Sequence, residues 1–414
     1  MSAQRLLSQR LERYKQLERR QKRSFDLISN LRLVVVIAGI AAAAMAGYTG
    51  TIRQAVYTGL PFLLVFIYLI YKHRQVEDRL NTAGRMAKIN QDYLDRLNGD
   101  WVQFTDQGLE FADFDHPYSN DLNIFGPKSL FQWLSIAQTY LGRQQLQQLL
   151  AHPPRDIDAI LARQRAVKEL AGRLDFCQGL ECRGLITPEA GRNPEKLVAY
   201  AGERPNLGKL IKVIRWLPIL TAASWALYFG QVISMQIPVI LLLLQGLIVL
   251  FTYKSVGAPL HRVYSFQKSL QSYRNMLELI EQEPWETTYL SSLQAELFEK
   301  SESASKAMQQ LERISGSIDM NRSMFYLIIN VGLLWDMQCF VRLAAWKSRY
   351  GNRVGRWLDI IGTMEALCSL AVIAHIHPDW AYPEIQDQGQ RITARGLGHP
   401  LLHPEKCVHN DIDI

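Results

Sequence analysis

Three stretches of this 414-residue chain carry no charged side chain: 33–52, 54–71 and 216–253. A bilayer core takes ~20 apolar residues per helix. The first two stretches therefore fit one span each. The third, thirty-eight residues with four consecutive leucines at 241–244, fits two with a turn near 231–238. Four membrane helices in two hairpins are expected, at about 33–48, 55–71, 216–233 and 237–253. A soluble domain would instead have to hide these runs as core helices, and the third is a large apolar surface to conceal.

Charge gathers where such spans would end. Residues 1–32 hold Arg5, Arg10, Arg13, Lys15, Arg19, Arg20, Lys22, Arg23 and Arg32 against Glu12, Glu18 and Asp26, which is +6 of the net +7. Basic residues collect on the cytoplasmic side of a span. Lys72, Arg74, Lys209, Lys212, Arg215 and Lys254 agree with that side, and Arg53 is the exception. The expected placement is multi-pass in the cell inner (plasma) membrane, with the amino terminus and the helical remainder in the cytoplasm. A cleaved signal peptide does not fit, because the first run follows a 32-residue segment rich in charge and is paired with a second run.

Outside these runs the pattern is helical. Residues 4–30 place Leu7, Leu11, Tyr14 and Leu17 on one stripe. Three roles are open to such a basic helix: lying on anionic headgroups, pairing with a copy of itself, or standing as a solvated lead-in. Residues 74–97 read as a helix, 101–115 as a short hairpin or irregular connection, and 121–134 as the start of a helical unit with Pro127 or Lys128 in its first turn. The block 260–350 is polar-faced and poor in glycine and proline, so it suggests extended helices with turns near 283–284 and Gly316. Within it, 323–335 is uncharged but too short to span comfortably. The piece 325–336 is expected to be a buried lever segment, with Asn330 and Asp336 hydrogen-bonded inside it.

The run 357–374 puts Leu358, Ile361, Leu367, Leu370, Ala371 and Ala374 near one helical face. It should end before His377-Pro378 and Tyr382-Pro383, since a residue preceding proline disfavours helix. Beyond lie short strand-like pieces at 392–394, 398–402 and 407–414, the last with no partner in view.

Chemistry-bearing residues are sparse. Cys177, Cys182, Cys339, Cys368 and Cys407 are odd in number and scattered, against a disulfide framework. Cys177 and Cys182 lack a second pair nearby, so they read as ordinary thiols rather than zinc ligands. Asp113, Asp115 and His116 are close, but Phe111, Phe114 and Tyr118 around them suit a packed loop. His399, before Pro400, reads as a turn residue. No catalytic residue and no metal centre is expected.

Order and spacing of several short pieces resemble the MutS family of DNA mismatch-repair ATPases. EALCSLA at 365–371, Pro383, GHPLL at 398–402 and VHND at 408–411 fall in the order in which that family's lever helix, extended segment, turn and strand lead into its phosphate-binding loop. Upstream, SLF at 129–131, TYLGR at 139–143, Leu149 and Leu150, Pro153 and Pro154, and RQRAVKEL at 163–170 match the start of the family's core domain. Arg163, Val167 and Leu170 would there be helix-packing or surface positions. The likeness covers about 121–414 apart from 216–253, and membrane-bearing relatives of MutS are the nearest form of it.

The resemblance implies a mainly α fold: two transmembrane helical hairpins with a MutS-like core and lever domain, ending in the first short strands of an α/β ATPase domain. The expected divisions are 1–32 (basic amphipathic helix), 33–71 (hairpin), 72–120 (connector), 121–215 (first part of the core), 216–253 (second hairpin), 254–380 (core and lever) and 381–414 (start of the ATPase domain). Full-length relatives use ATP and Mg, which requires a Gly-x-x-x-x-Gly-Lys-Ser/Thr loop. That loop occurs nowhere in this chain, so the chain is expected to stop short of it and not to hydrolyse ATP. Part of the adenine pocket would be carried by Val408 and Asn410, with Cys407 and His409 beside them. Implied partners are the membrane, duplex DNA and a second copy through the ATPase domain. Two departures matter: no mismatch-reading domain precedes the core, and no Phe-x-Glu exists to probe a mispair. Near-neutral charge outside the amino-terminal arm keeps a second class open, a membrane scaffold whose cytoplasmic helices bind a protein partner without nucleic acid.

Overall fold

The computed structural model describes residues 2–113, 115–203, 214–299, 302–318, 326–386, 391–403 and 405–414. Lys209, Lys212 and Phe114, and Phe325 of the expected lever segment, lie outside them. The chain is mainly helical and forms two compact units, Met1–Thr105 with Val372–Ile414, and Asp106–Ala371.

The first unit is built on α1 (Ala3–Thr49) and α2 (Ile52–Asn98), packed along each other as one long hairpin. At 1.5 Å per residue each is about 70 Å long, more than twice the ~30 Å of a bilayer core. The basic segment 1–32 is therefore not a separate helix. It is the first part of α1, paired with α2 of the same chain rather than lying free, and Leu7 is only 1% exposed. The caps follow from sequence: Ser2 accepts from the Arg5 N–H, Thr51 and Gln54 form a reciprocal box, and Gly99 closes α2 in the left-handed region at φ 90°. In the apolar halves small residues let the helices approach. A Cβ on Gly39 would lie 2.8 Å from Phe62 Cβ, and Gly47 and Gly59 face Ala55 and Ala43. Outward, Leu33, Ile37, Ile40, Val56, Leu64 and Ile67 are exposed.

The second unit opens with α3 (Leu130–Leu134), α4 (Tyr140–Ala151), α5 (Ile157–Ala171), α6 (Leu174–Gly184) and α7 (Glu195–Gly202). A second apolar hairpin follows, α8 (Leu217–Phe229) and α9 (Gln236–Thr252), and α9 continues through a π-turn (Tyr253–Gly257) into α10 (Ala258–Tyr264). Then come α11 (Gln267–Gln282), α12 (Thr288–Ala295), the two-residue strands β1 (Phe298–Glu299) and β2 (Glu302–Ser303), α13 (Ala304–Ile318), α14 (Tyr326–Leu333), α15 (Trp335–Tyr350) and α16 (Val354–Ile376). From Val372 onward α16 belongs to the first unit, as do β3 (Thr393–Leu397) and β4 (Asn410–Asp413).

Carboxylates placed at the amino ends of other helices tie the second unit together. Glu169 of α5 accepts the N–H groups of Glu286 and Thr287 at the start of α12, at 2.9 and 2.8 Å. Glu281 of α11 accepts the Ser305 N–H at 2.8 Å and its hydroxyl, at the start of α13. Glu365 of α16 does the same for α4. Each supplies acceptor oxygens to N–H groups at the start of another helix.

Among the described residues four helical stretches are long and apolar enough to cross a membrane, which marks this as a membrane protein: Ala3–Thr49, Arg53–Asn98, Gln236–Tyr264 and Trp335–Ile376. In the first three only 6%, 6% and 11% of the apolar window is buried, so these present their side chains outward. In the fourth 72% is buried, which makes it a core element of the protein rather than a lipid-facing one.

The structure corrects four expectations. The helix expected over 216–233 is the thirteen-residue α8, about 20 Å long and shorter than a bilayer core. The segment expected to be a buried lever piece, α14, instead exposes Leu327, Ile328 and Leu333, buries Asn330, and packs on α9. The single apolar face expected on α16 widens to nearly the whole helix: Trp357, Ile360, Met364, Cys368 and Val372 are buried as well. The last strand does have a partner, since β4 pairs antiparallel with β3, Thr393 opposite Asp413 and Ala394 opposite Ile412, with an irregularity before the Leu397–Asn410 pair. The helix does end at Ile376, just before His377-Pro378.

Candidate functional site

The carboxyl-terminal residues expected to border an adenine lie on an open surface. Val408 is 74% exposed and Asn410 and His409 are exposed. Cys407 and His409 fold over Gly398, where a Cβ would come within 2.9 Å of both side chains. The Cys407 thiol points to the His399 carbonyl at 3.7 Å, and His399 Nδ1 accepts the Leu401 N–H at 3.3 Å, which fixes the turn read from the sequence. Asn410 opens β4, and Cys407, Val408 and His409 lie in the residues just before it, with Cys407 and His409 turned toward Gly398.

A second polar group lies inside the second unit. Asp336, in the first turn of α15, accepts from the Tyr326 hydroxyl and from Asn330 Nδ2 at 3.0 Å, and its own N–H donates to Asn330 Oδ1 at 3.1 Å. Leu334 between α14 and α15 sits at φ 48°, a left-handed conformation that costs a branched side chain about 1 kcal/mol and is held here by the surrounding network. The hydrogen bonding foreseen for Asn330 and Asp336 is present. It joins two helix ends and leaves beside the π-turn a cavity of about 10 Å³, room for one water.

The third group was missed as a site and is the most ordered. Thr139 caps α4, its hydroxyl accepting the Gly142 N–H at 3.0 Å. Glu365 Oε1 accepts the Gln138 and Thr139 N–H groups at 2.8 and 3.2 Å, and the Thr139 hydroxyl donates to Oε2. One turn on, the Ser369 hydroxyl accepts the Ile136 N–H at 3.2 Å. Burial pushes the Glu365 carboxyl up to about 7, with the three donors pulling the other way. Gly362 packs directly on the Leu141 backbone, and Phe131, Leu146 and Ala366 close the core around the contact. The signal available in sequence was Gly142, a glycine within a helix three residues after a capping threonine, where close approach is the usual reason.

Other expected positions settle simply. His116 uses both ring nitrogens in a packed loop, Nε2 toward the Ala151 carbonyl at 3.1 Å and Nδ1 toward the Ser119 N–H at 3.2 Å. Val167 and Leu170 are core residues of α5. Arg143 forms a two-point pair with Asp106, at 3.0 and 2.7 Å, over the Phe111 ring. The five cysteines are free thiols, and burial together with a neighbouring Cys177 thiol raises Cys368 well above the usual range. Among the described residues no group of three or more His, Cys, Asp or Glu side chains is arranged to hold a metal ion. No family model, curated protein or solved structure matches the chain.

Proposed function

We propose that the chain is a membrane-anchored MutS-like protein whose second unit supplies core and lever helices, tethered by the two apolar hairpins. The observation that carries this reading is the Glu365 contact. The two stretches on which the resemblance rests, 139–143 and 365–371, are separated by 226 residues between Thr139 and Glu365, yet meet in one buried hydrogen-bonded seam. A chance likeness of two amphipathic helices gives no reason for its matching polar residues to satisfy each other. In this role α16, buried on nearly every side, is a stiff rod whose displacement would be felt at the amino end of α4. ATP chemistry belongs to a loop that these residues do not contain, and the chain's own part is anchor, core and lever.

The test is binding of the detergent-solubilised full chain to a fluorescent duplex while salt is raised from about 50 to about 200 mM. Affinity should fall steeply as counterions are released. Lack of any salt-sensitive affinity would favour the scaffold reading, which is supported by the near-neutral charge outside residues 1–32 and by the exposed Val408 and Ile414.

The inner-membrane placement with a cytoplasmic amino terminus is part of the same proposal, supported by nine basic residues against three acidic ones before the first apolar run. In intact cells Thr51→Cys, at the hairpin tip, should react with a membrane-impermeant maleimide and Ser8→Cys should not. The reverse labelling pattern would invert the assignment.

A further inference from the structure

Where α9 leaves its apolar run, the chain forms an open groove of about 730 Å³. It is lined by Tyr253, Lys254, Gly257, Ala258, His261, Arg262 and Ser265. Lys254, Ala258, His261 and Ser265 recur at intervals of four, three and four residues, so the π-turn and α10 present them on one helical face. Nothing lies within 4 Å of a Cβ built on Gly257, so the groove there is backbone and empty space rather than packed side chain.

Position gives the groove its meaning. Just before it Leu247, Leu250 and Phe251 are 52%, 70% and 82% exposed, the outward face of a membrane helix, and Tyr253 follows at 61% as an amphipathic belt residue. Lys254 and Arg262, with His261 beside them, therefore stand where the outward apolar run gives way to polar residues, the level of lipid phosphates. Their charge is poorly compensated by the protein. Lys254 makes no ion pair among the described residues, and Arg262 meets Glu203 at 4.0 Å across an exposed gap, while Glu203 also holds Lys347 at 3.5 Å.

We propose that this groove binds the phosphate of an anionic phospholipid headgroup, seated on Gly257 and Ala258 between Lys254 and the His261–Arg262 pair. The site fixes how deep the second hairpin sits, and it is independent of any nucleic-acid role. The chemistry is that of a phosphodiester held by an ammonium and a guanidinium at the edge of low dielectric.

The experiment is a thermal-unfolding titration of the full chain in neutral detergent with phosphatidylglycerol, phosphatidylcholine or inorganic phosphate. Phosphatidylglycerol should raise the midpoint saturably and phosphatidylcholine should not. The triple variant Lys254→Gln, His261→Gln, Arg262→Gln should need about tenfold more phosphatidylglycerol for the same rise. A control with the same two formal charges removed from the arm, Arg13→Gln and Arg20→Gln, should respond as the parent does. Should the triple variant fail to fold, Lys254→Gln alone should weaken the response about threefold. Equal responses of parent and groove variants, or of the two lipids, would overturn the proposal. A rise reproduced by inorganic phosphate would replace the lipid with a free anion and overturn it too.

Discussion

The Glu365 carboxylate accepts the Thr139 N–H at 3.2 Å while accepting the Thr139 hydroxyl with its second oxygen. One side chain on α16 thereby closes the amino end of α4. Removing it by Glu365→Ala leaves the Gln138 and Thr139 N–H groups buried and unpaired and opens a hole beside Gly142, at a cost of about 3–5 kcal/mol. Chemical or thermal unfolding of the solubilised protein would measure that loss.

The same carboxyl sets a pH dependence. Its folded-state value, about 7, lies above the ordinary 4.5. The protonated form is therefore the one the fold favours: this group's contribution is complete below about pH 4.5 and is lost as pH rises through about 7. Glu365→Gln keeps an acceptor for the two N–H groups and cannot ionise. Between about pH 5 and pH 8 the parent's thermal midpoint should fall relative to that of Glu365→Gln. Parallel pH profiles for the two proteins would show that the carboxyl does not titrate there.

Glycine positions offer a contrast within apolar helices. A Cβ on Gly362 would come within 2.8 Å of the Leu141 carbonyl carbon and 2.9 Å of its oxygen, backbone atoms that cannot step aside. Gly362→Ala should cost about 1–3 kcal/mol through forced separation of α4 and α16. Gly332 in α14 has nothing within 4 Å of its built Cβ, so Gly332→Ala should be neutral or stabilise by up to about 1 kcal/mol through helix propensity. Unfolding midpoints of the pair decide it.

These contacts explain what sequence could and could not foretell. The hairpins were legible because absence of charge over eighteen or more residues is a local property, and the end of α16 because Pro378 acts on its neighbour. The placement of α14 was not. A short uncharged run suits core and membrane alike, and only its packing on α9 exposes Leu327 and Ile328. The carboxylates capping α4, α12 and α13 were equally hidden, since Glu365, Glu169 and Glu281 each serve a helix end remote in sequence or across a turn, and no periodicity marks such a partner. Val408 and Asn410 were named from the resemblance alone, and whether such residues line a cavity depends on elements that a pattern of alternation does not specify.

Asn330 supplies both halves of an exchange with Asp336, its Nδ2 donating to the carboxylate at 3.0 Å and its Oδ1 accepting the Asp336 N–H at 3.1 Å. Asn330→Leu is close in volume and would remove both bonds, leaving the left-handed Leu334 junction without its brace. The expected loss is about 2–3 kcal/mol. Asn330→Asp should cost at least as much, because it sets a second carboxylate against Asp336. Hydrogen exchange at the start of α15 should quicken in both variants, and unchanged protection there would exclude the bracing role.

Gln245 presents the opposite case. It is wholly buried in α9, and among the described residues neither its amide oxygen nor its nitrogen meets a hydrogen-bond partner. An amide placed in apolar surroundings without partners carries its desolvation penalty uncompensated, about 1–3 kcal/mol by protein measurements. Leucine is similar in bulk and has no polar atom to strand. Gln245→Leu should therefore raise the unfolding midpoint, against the usual direction of a substitution at a buried site, with a gain of about 1–3 kcal/mol. Thr221 is the internal comparison: its hydroxyl is bonded to the Leu217 carbonyl at 3.1 Å, so Thr221→Val removes a satisfied bond and should change stability by less than about 1 kcal/mol. A destabilised Gln245→Leu variant would mean that the amide does find a partner in the folded protein, and the purified chain's hydrogen exchange at that helix would then show which segment supplies it.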